Sequence, residues 1–183
     1  MATEPANEDR DNDTDKYACW YEQTDTLEQG SILRGTRVFE ETEDSTPEVL
    51  DVAVRFIDAI VLTQSCDIRK PAQARLLVAQ VHPYREVAQQ RGGKFRGKVY
   101  RKELADGLAI AEFLVPPAER AFDDWSIVNF RELYTIDRVR LTSENGFVGL
   151  GSPYREHLGQ AFARFMMRVG LPTGLDDFEK YQL

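Results

Sequence analysis

The sequence predicts a mainly β, α+β fold: a small β-barrel carrying α elements and one closing helix. Three observations point there. Short apolar runs rich in β-branched residues recur from Ser31 to Leu141, punctuated by turn residues. Most connections between them read as non-helical. One strongly amphipathic stretch follows the last of them.

A chain of 183 residues, 42% hydrophobic and 30% charged, fits a single globular domain. No apolar run reaches the roughly 18 to 20 residues that span a bilayer. Residues 1–16 lack the apolar stretch of a secretory signal. A cytoplasmic location and no membrane partner are therefore expected. Cys19 and Cys66 lie far apart and are expected as free thiols in a reducing compartment. Residues 1–16 hold six acids against two bases, which gives -4 of the net -8, and are expected to form a disordered acidic tail. The domain is expected over 17–175, with a C-terminal tail at 176–183.

In chain order, a first strand is expected near Ser31–Phe39, entered through Gln29-Gly30, and the acidic loop EETEDSTPE at 40–48 follows it. Val49–Thr63 reads as one long bent strand or two in succession, broken by Arg69-Lys70-Pro71. Arg75–Val81 is a short strand closed by His82-Pro83. Tyr84–Gln90 and Val99–Ala105 read as helical turns, and the glycines between them suggest a mobile loop. Leu108–Val115, Trp125–Leu133 and Arg138–Leu141 are further strands, and Asn145-Gly146 is a turn. Residues 153–169 form the closing helix, with Ser152 as N-cap and Pro153 at the first helical position. Tyr154, Leu158, Ala161, Phe162, Phe165, Met166 and Val169 share one apolar face, while Met167 falls off it. Gly170 and Pro172 end the helix.

Two constellations could carry chemistry. The stretch DAIVLTQSCDIRK, residues 58–70, ends an apolar run in small polar groups around one thiol. A nucleophilic Cys66 needs a base in reach, and His82 follows the neighbouring strand, with Asp67 or Asp58 to orient the imidazole. The alternative reading makes Cys66 a small buried hydrophobe and Asp67 a turn cap. Cys19, Cys66, His82 and His157 are zinc-type ligands, but they lack the paired spacing of zinc motifs; no metal and no cofactor is expected. The second constellation is RGGKFRGKVYRK at 91–102, six bases with no acid. Arg91, Lys94, Arg96, Lys98, Arg101 and Lys102 could track phosphates, with Phe95 and Tyr100 free to stack on bases. Its plainer reading is a flexible solvated loop balancing the acidic segments. The acidity of the whole chain argues against non-specific nucleic-acid binding.

Three segments, in order, resemble the MazF/PemK-type toxins. Leu27–Ile32, LEQGSI, is similar to that family's "-RGDI-" strand entry. IVLT at 60–63, followed by LLVAQV at 76–81, is similar to its "-VVLS-" strand and the strand after it. WSIVNFRELYTIDRVRL at 125–141, followed by a Gly turn and a helix, resembles its late strand pair and terminal helix. The resemblance implies an SH3-like β-barrel, an insertion at 82–107, endoribonuclease ancestry, homodimers, and a prokaryotic toxin–antitoxin or defence setting. The family's catalytic positions are not matched. Ile57 and Asp58 stand where an arginine–proline pair is implied, His82-Pro83 where a threonine or serine is, and Ser31 where an aspartate is. Losing that cation removes the main electrostatic contribution to phosphate chemistry. The expectation is a non-catalytic binding or regulatory module with a protein or RNA partner. The alternatives are a ribonuclease using His82 and the 91–102 bases, or a thiol enzyme using Cys66.

Overall fold

β2 (Ile32–Glu41) and β3 (Val52–Val61) form a long antiparallel hairpin, and the rest of the main sheet grows from β3. The computed structural model describes residues 15–143 and 145–167. β4 (Arg75–Pro83) pairs with β3, β6 (Ser126–Asp137) with β4, and β5 (Glu112–Val115) with β6. The five strands run in the order β2-β3-β4-β6-β5, all antiparallel to their neighbours. β1 (Tyr21–Thr24) and β7 (Phe147–Leu150) make a second, two-stranded sheet, also antiparallel. One bridge, Ser31 to Gly149, ties it to the start of β2. The chain is thus α+β and mostly β. Among the described residues, no backbone ladder joins β1 to β5. The two approach where the Tyr21 phenol donates to the Pro116 carbonyl at 2.5 Å.

The run Ala59-Ile60-Val61-Leu62 is apolar without alternation because both faces of the sheet are covered along this stretch. Ile60, Leu62, Ala79, Val81, Val128 and Phe130 face one core with Leu150, Leu158 and Ala161. Ala59, Val61, Leu76, Val78 and Ile136 face the other, with Leu33 and Ile68. α4 (Tyr154–Met166) closes the first core. Leu158 is fully buried, and Phe162 and Phe165 pack on Phe130 with ring centroids 5.4 and 5.9 Å apart. Trp20 stacks on Tyr154 at 3.9 Å.

Several expectations are corrected. Met166 is 59% exposed rather than core, although Phe165 beside it still packs on Phe130. Ser152 does not cap α4; the helix begins at Tyr154, and the Arg155 N–H donates instead to the Gly151 carbonyl. Leu108–Ala111 are not strand, and in place of two strands within 125–141 there is one, Ser126–Asp137, followed by a 3-10 turn at Arg138–Arg140. The glycines of the 84–105 region do not open a loop. α2 (Tyr84–Arg91) and α3 (Lys98–Ala105) flank a 3-10 turn at Gly93–Arg96, and Gly92 and Gly93, with φ of 59° and 48°, reverse the chain between them. A short helix, α1 (Ser65–Ile68), follows β3. No described helix is long and apolar enough to cross a membrane. Of the expected acidic tail, Asp15 and Lys16 begin a 3-10 turn running to Trp20. The rest of that tail, with Val169, Gly170, Pro172 and the C-terminal tail, lies outside the described residues.

Candidate anion-binding cleft

The site begins with a glycine inside a strand. Leu33 pairs with Ala59, but the next pair is Thr36 with Ile57, so β2 carries one extra residue, a bulge at Arg34-Gly35. Gly35 supplies the left-handed backbone the bulge needs, with φ of 55°. Asp58 on β3 secures it. One carboxylate oxygen accepts the Gly35 N–H at 2.9 Å, and the other pairs with Arg34 Nε at 3.3 Å. Arg34 also donates to the Ala121 carbonyl at 3.0 Å and lies 5.7 Å from the Phe122 ring centroid. The bulge, Asp58 and the Ala121 carbonyl therefore hold the Arg34 guanidinium in place.

Beside it opens a cleft of about 530 Å³, walled by β2, the stretch from Arg140 to Ser143, and the start of β7. Arg34, Arg37, Arg120 and Arg140 line it with the hydroxyls of Thr36, Thr142 and Ser143, over an apolar floor that includes Ile136, Leu141 and Phe147. No Asp or Glu lines it among the described residues. Arg37 lies over the Phe39 ring at 5.3 Å. Arg120 is the one non-glycine among the described residues with positive φ, 66°, and its guanidinium donates to the Gln23 side-chain oxygen at 3.5 Å. Arg140 Nε stands 3.4 Å from Asp137, which also faces Arg75. Guanidinium forks with hydroxyls suit the oxygens of phosphates or carboxylates. Such a lining can hold and orient an anion.

The residues expected from the sequence lie elsewhere. Cys66 is exposed on α1, its Sγ 3.7 Å from the Gln64 side-chain oxygen, and Asp67 pairs with Lys70 at 2.6 Å. In the β3–β4 ladder Val61 faces Val78 and Asp58 faces Val81. Cys66 follows the Val61 end and His82 the Asp58 end, so the structure does not bring thiol and imidazole together. Instead, His82 Nε2 meets Glu132 at 2.5 Å. Among the described residues no group of three or more His, Cys, Asp or Glu could hold a metal ion.

The 91–102 segment is likewise engaged internally. Arg91 pairs at 2.5 Å with Glu112, which is buried, and the Tyr100 phenol donates to the other Glu112 oxygen. Burial first, and that hydrogen bond second, push the Tyr100 phenol well above its ordinary value. Tyr100 is only 6% exposed and meets Phe95 edge-on at 4.9 Å, so its ring is not free for stacking as expected. Arg91 and Lys94 lie over Phe95, Arg96 donates to the Ala88 and Gln89 carbonyls, and Lys102 pairs with Asp106. All six bases of the segment are nonetheless exposed, and Lys98 and Arg101 have no partner named above.

The cleft arginines escaped sequence reading because they are scattered from position 34 to 140. The one local signal was Gly35 in the middle of an apolar strand pattern, which marks a bulge or a close approach. No protein-family model matches this chain, and no curated protein matches it.

Proposed function

We propose that this protein is a non-catalytic, MazF/PemK-like binding module that holds single-stranded RNA by its phosphates in the arginine-lined cleft. One observation carries the reading: four arginines and three hydroxyls converge on one cleft, with no carboxylate in its described lining, on a chain of net charge -8. Such local inversion of sign concentrates a polyanion where the rest of the surface repels it. The apolar floor beside the cations suits an unstacked base. The barrel part of the proposal draws support from the Ser31–Gly149 bridge, which links both sheets edge to edge, and from the Tyr21 contact at Pro116. The non-catalytic part draws support from His82, which pairs with Glu132 and is not among the cleft residues.

The test is fluorescence anisotropy of a labelled RNA oligonucleotide across a salt series. The wild type is expected to bind with an affinity that falls as salt rises, and Arg120→Ala to weaken binding and flatten the salt slope by about one unit. Absence of binding at low salt, or binding indifferent to Arg120→Ala, would overturn the RNA reading. Cuts in a mixed RNA pool that vanish in Arg34→Ala or His82→Ala would overturn the non-catalytic part.

A further inference from the structure

A second hollow lies between α3, β5 and α4, and it shares no lining residue with the arginine-lined cleft. Two adjoining cavities form it, of about 560 and about 300 Å³. Leu104 and Ala105 of α3, Leu114 of β5 and Trp125 line both, so the two make one groove. Trp20 lines the larger cavity with Gln160, Ala161 and Arg164 of α4. Trp20 and Trp125 are the two tryptophans of the chain. Both are half-buried, and each meets a neighbouring ring: Trp20 stacks on Tyr154 at 3.9 Å, and Trp125 meets Tyr17 edge-on at 5.1 Å. Aromatic walls held in this way, around a hollow of several hundred cubic ångströms, suit a small molecule with an apolar body.

Charge decides what the other end of that molecule carries. Two acids line the larger cavity, and both are already engaged. Asp106 is paired with Lys102 at 2.5 Å, and the Glu112 oxygens are taken by Arg91 and the Tyr100 phenol. Arg164 differs from them. It donates to the Gly107 carbonyl at 2.5 Å, but no acid pairs with it among the described residues. A guanidinium has several N–H donors, so most of the fork stays available. The indoles and the Gln160 amide add further donors. In the smaller cavity the charged residue is Arg101, which also has no ion-pair partner among the described residues. The groove thus sets donors and unpaired positive charge beside apolar walls.

We propose that this groove binds a small amphipathic carboxylate, an apolar body ending in an acid group. The body lies against Leu104, Leu114 and the indoles, and the carboxylate meets the Arg164 fork. A neutral molecule of the same shape forgoes that ion pair, and an amine is repelled by it.

Tryptophan emission reads binding directly, since both indoles line the groove. The probes are phenylbutyrate, phenylbutanol and phenylbutylamine, which share one body and differ in the charge of the head. Circular dichroism confirms the fold of each variant. With the wild type, phenylbutyrate is expected to change the emission saturably, phenylbutanol to bind about tenfold more weakly, and phenylbutylamine more weakly still. Arg164→Gln keeps a donor for Gly107 and is expected to bring the acid down to the affinity of the alcohol while leaving the alcohol unchanged. Ala105→Phe, at an exposed position that lines both cavities, is expected to fill the groove and abolish binding of all three. No saturable change with phenylbutyrate would overturn the proposal. So would equal affinities for the three probes, an Arg164→Gln variant that binds the acid as the wild type does, or an Ala105→Phe variant that still binds it.

Discussion

Arg120 holds the left-handed backbone that glycine adopts freely, and it does so in the lining of the cleft. That conformation costs an L-residue roughly 1–2 kcal/mol. Strain of this kind persists where a side chain is needed in a particular place. Arg120→Gly separates the two contributions. It relieves the strain while adding chain entropy to the unfolded state, so the melting temperature is expected to stay level or rise slightly while RNA affinity falls as in Arg120→Ala. A melting temperature lowered by several degrees would mean that the guanidinium serves the fold rather than the cleft. Asp58 illustrates the same scale differently. Its two oxygens hold the Gly35 N–H and the Arg34 guanidinium, so one carboxylate fixes both residues of the bulge.

Between elements, the joint of the two sheets is closely packed. A Cβ on Gly149 would sit 2.9 Å from both the Gly30 carbonyl oxygen and the Ser31 Cα. Both are backbone atoms that cannot swing aside. Gly149→Ala must therefore push β7 off β2 at the Ser31 bridge, the same place where the Leu150 N–H donates to Gly30. Overpacking of this sort costs about 1–3 kcal/mol, read in chemical denaturation as a lower midpoint at unchanged slope. Because β7 also walls the cleft, RNA affinity should fall with it. A stable variant with full affinity would show the two sheets to be independent. The 84–105 helices are joined to the sheet by another such node, the Glu112 carboxylate shared between Arg91 and Tyr100.

For the whole molecule, the titration most open to measurement is alkaline. Burial raises the phenols of Tyr21, Tyr100 and Tyr134, helped in the last two by hydrogen bonds to Glu112 and Glu40, and Tyr134 is pushed from 10.0 to about 12. Above pH 10 the unfolded chain releases these protons while the folded chain keeps them. The folded state then binds more protons, so stability falls as pH rises. It is expected to be insensitive to these groups below pH 10 and to decline steadily above it. Phenolate absorbance should show late-ionising tyrosines that titrate together with loss of the far-ultraviolet signal. All seven tyrosines ionising together near their ordinary value, with the fold intact, would contradict the burial described here.

By itself the sequence determined what periodicity and chain chemistry encode locally. The unbroken Ala59–Leu62 run, the Arg75–Val81 strand and the Leu158–Ala161 stripe of the last helix could be read because each follows from its own neighbours. β1 and β7, four residues each, could not, since so short a stretch carries no period and exists through its partner. The tertiary structure alone decided the chemistry. It separated Cys66 from His82 by placing them at opposite ends of one ladder, and it buried Tyr100 of the run at 91–102 against Glu112, which also holds Arg91. It also gathered Arg34, Arg37, Arg120 and Arg140 around one cleft. The physical reason is that charges interact through space, over distances that only the folded path of the chain sets, and separation along the sequence does not record them.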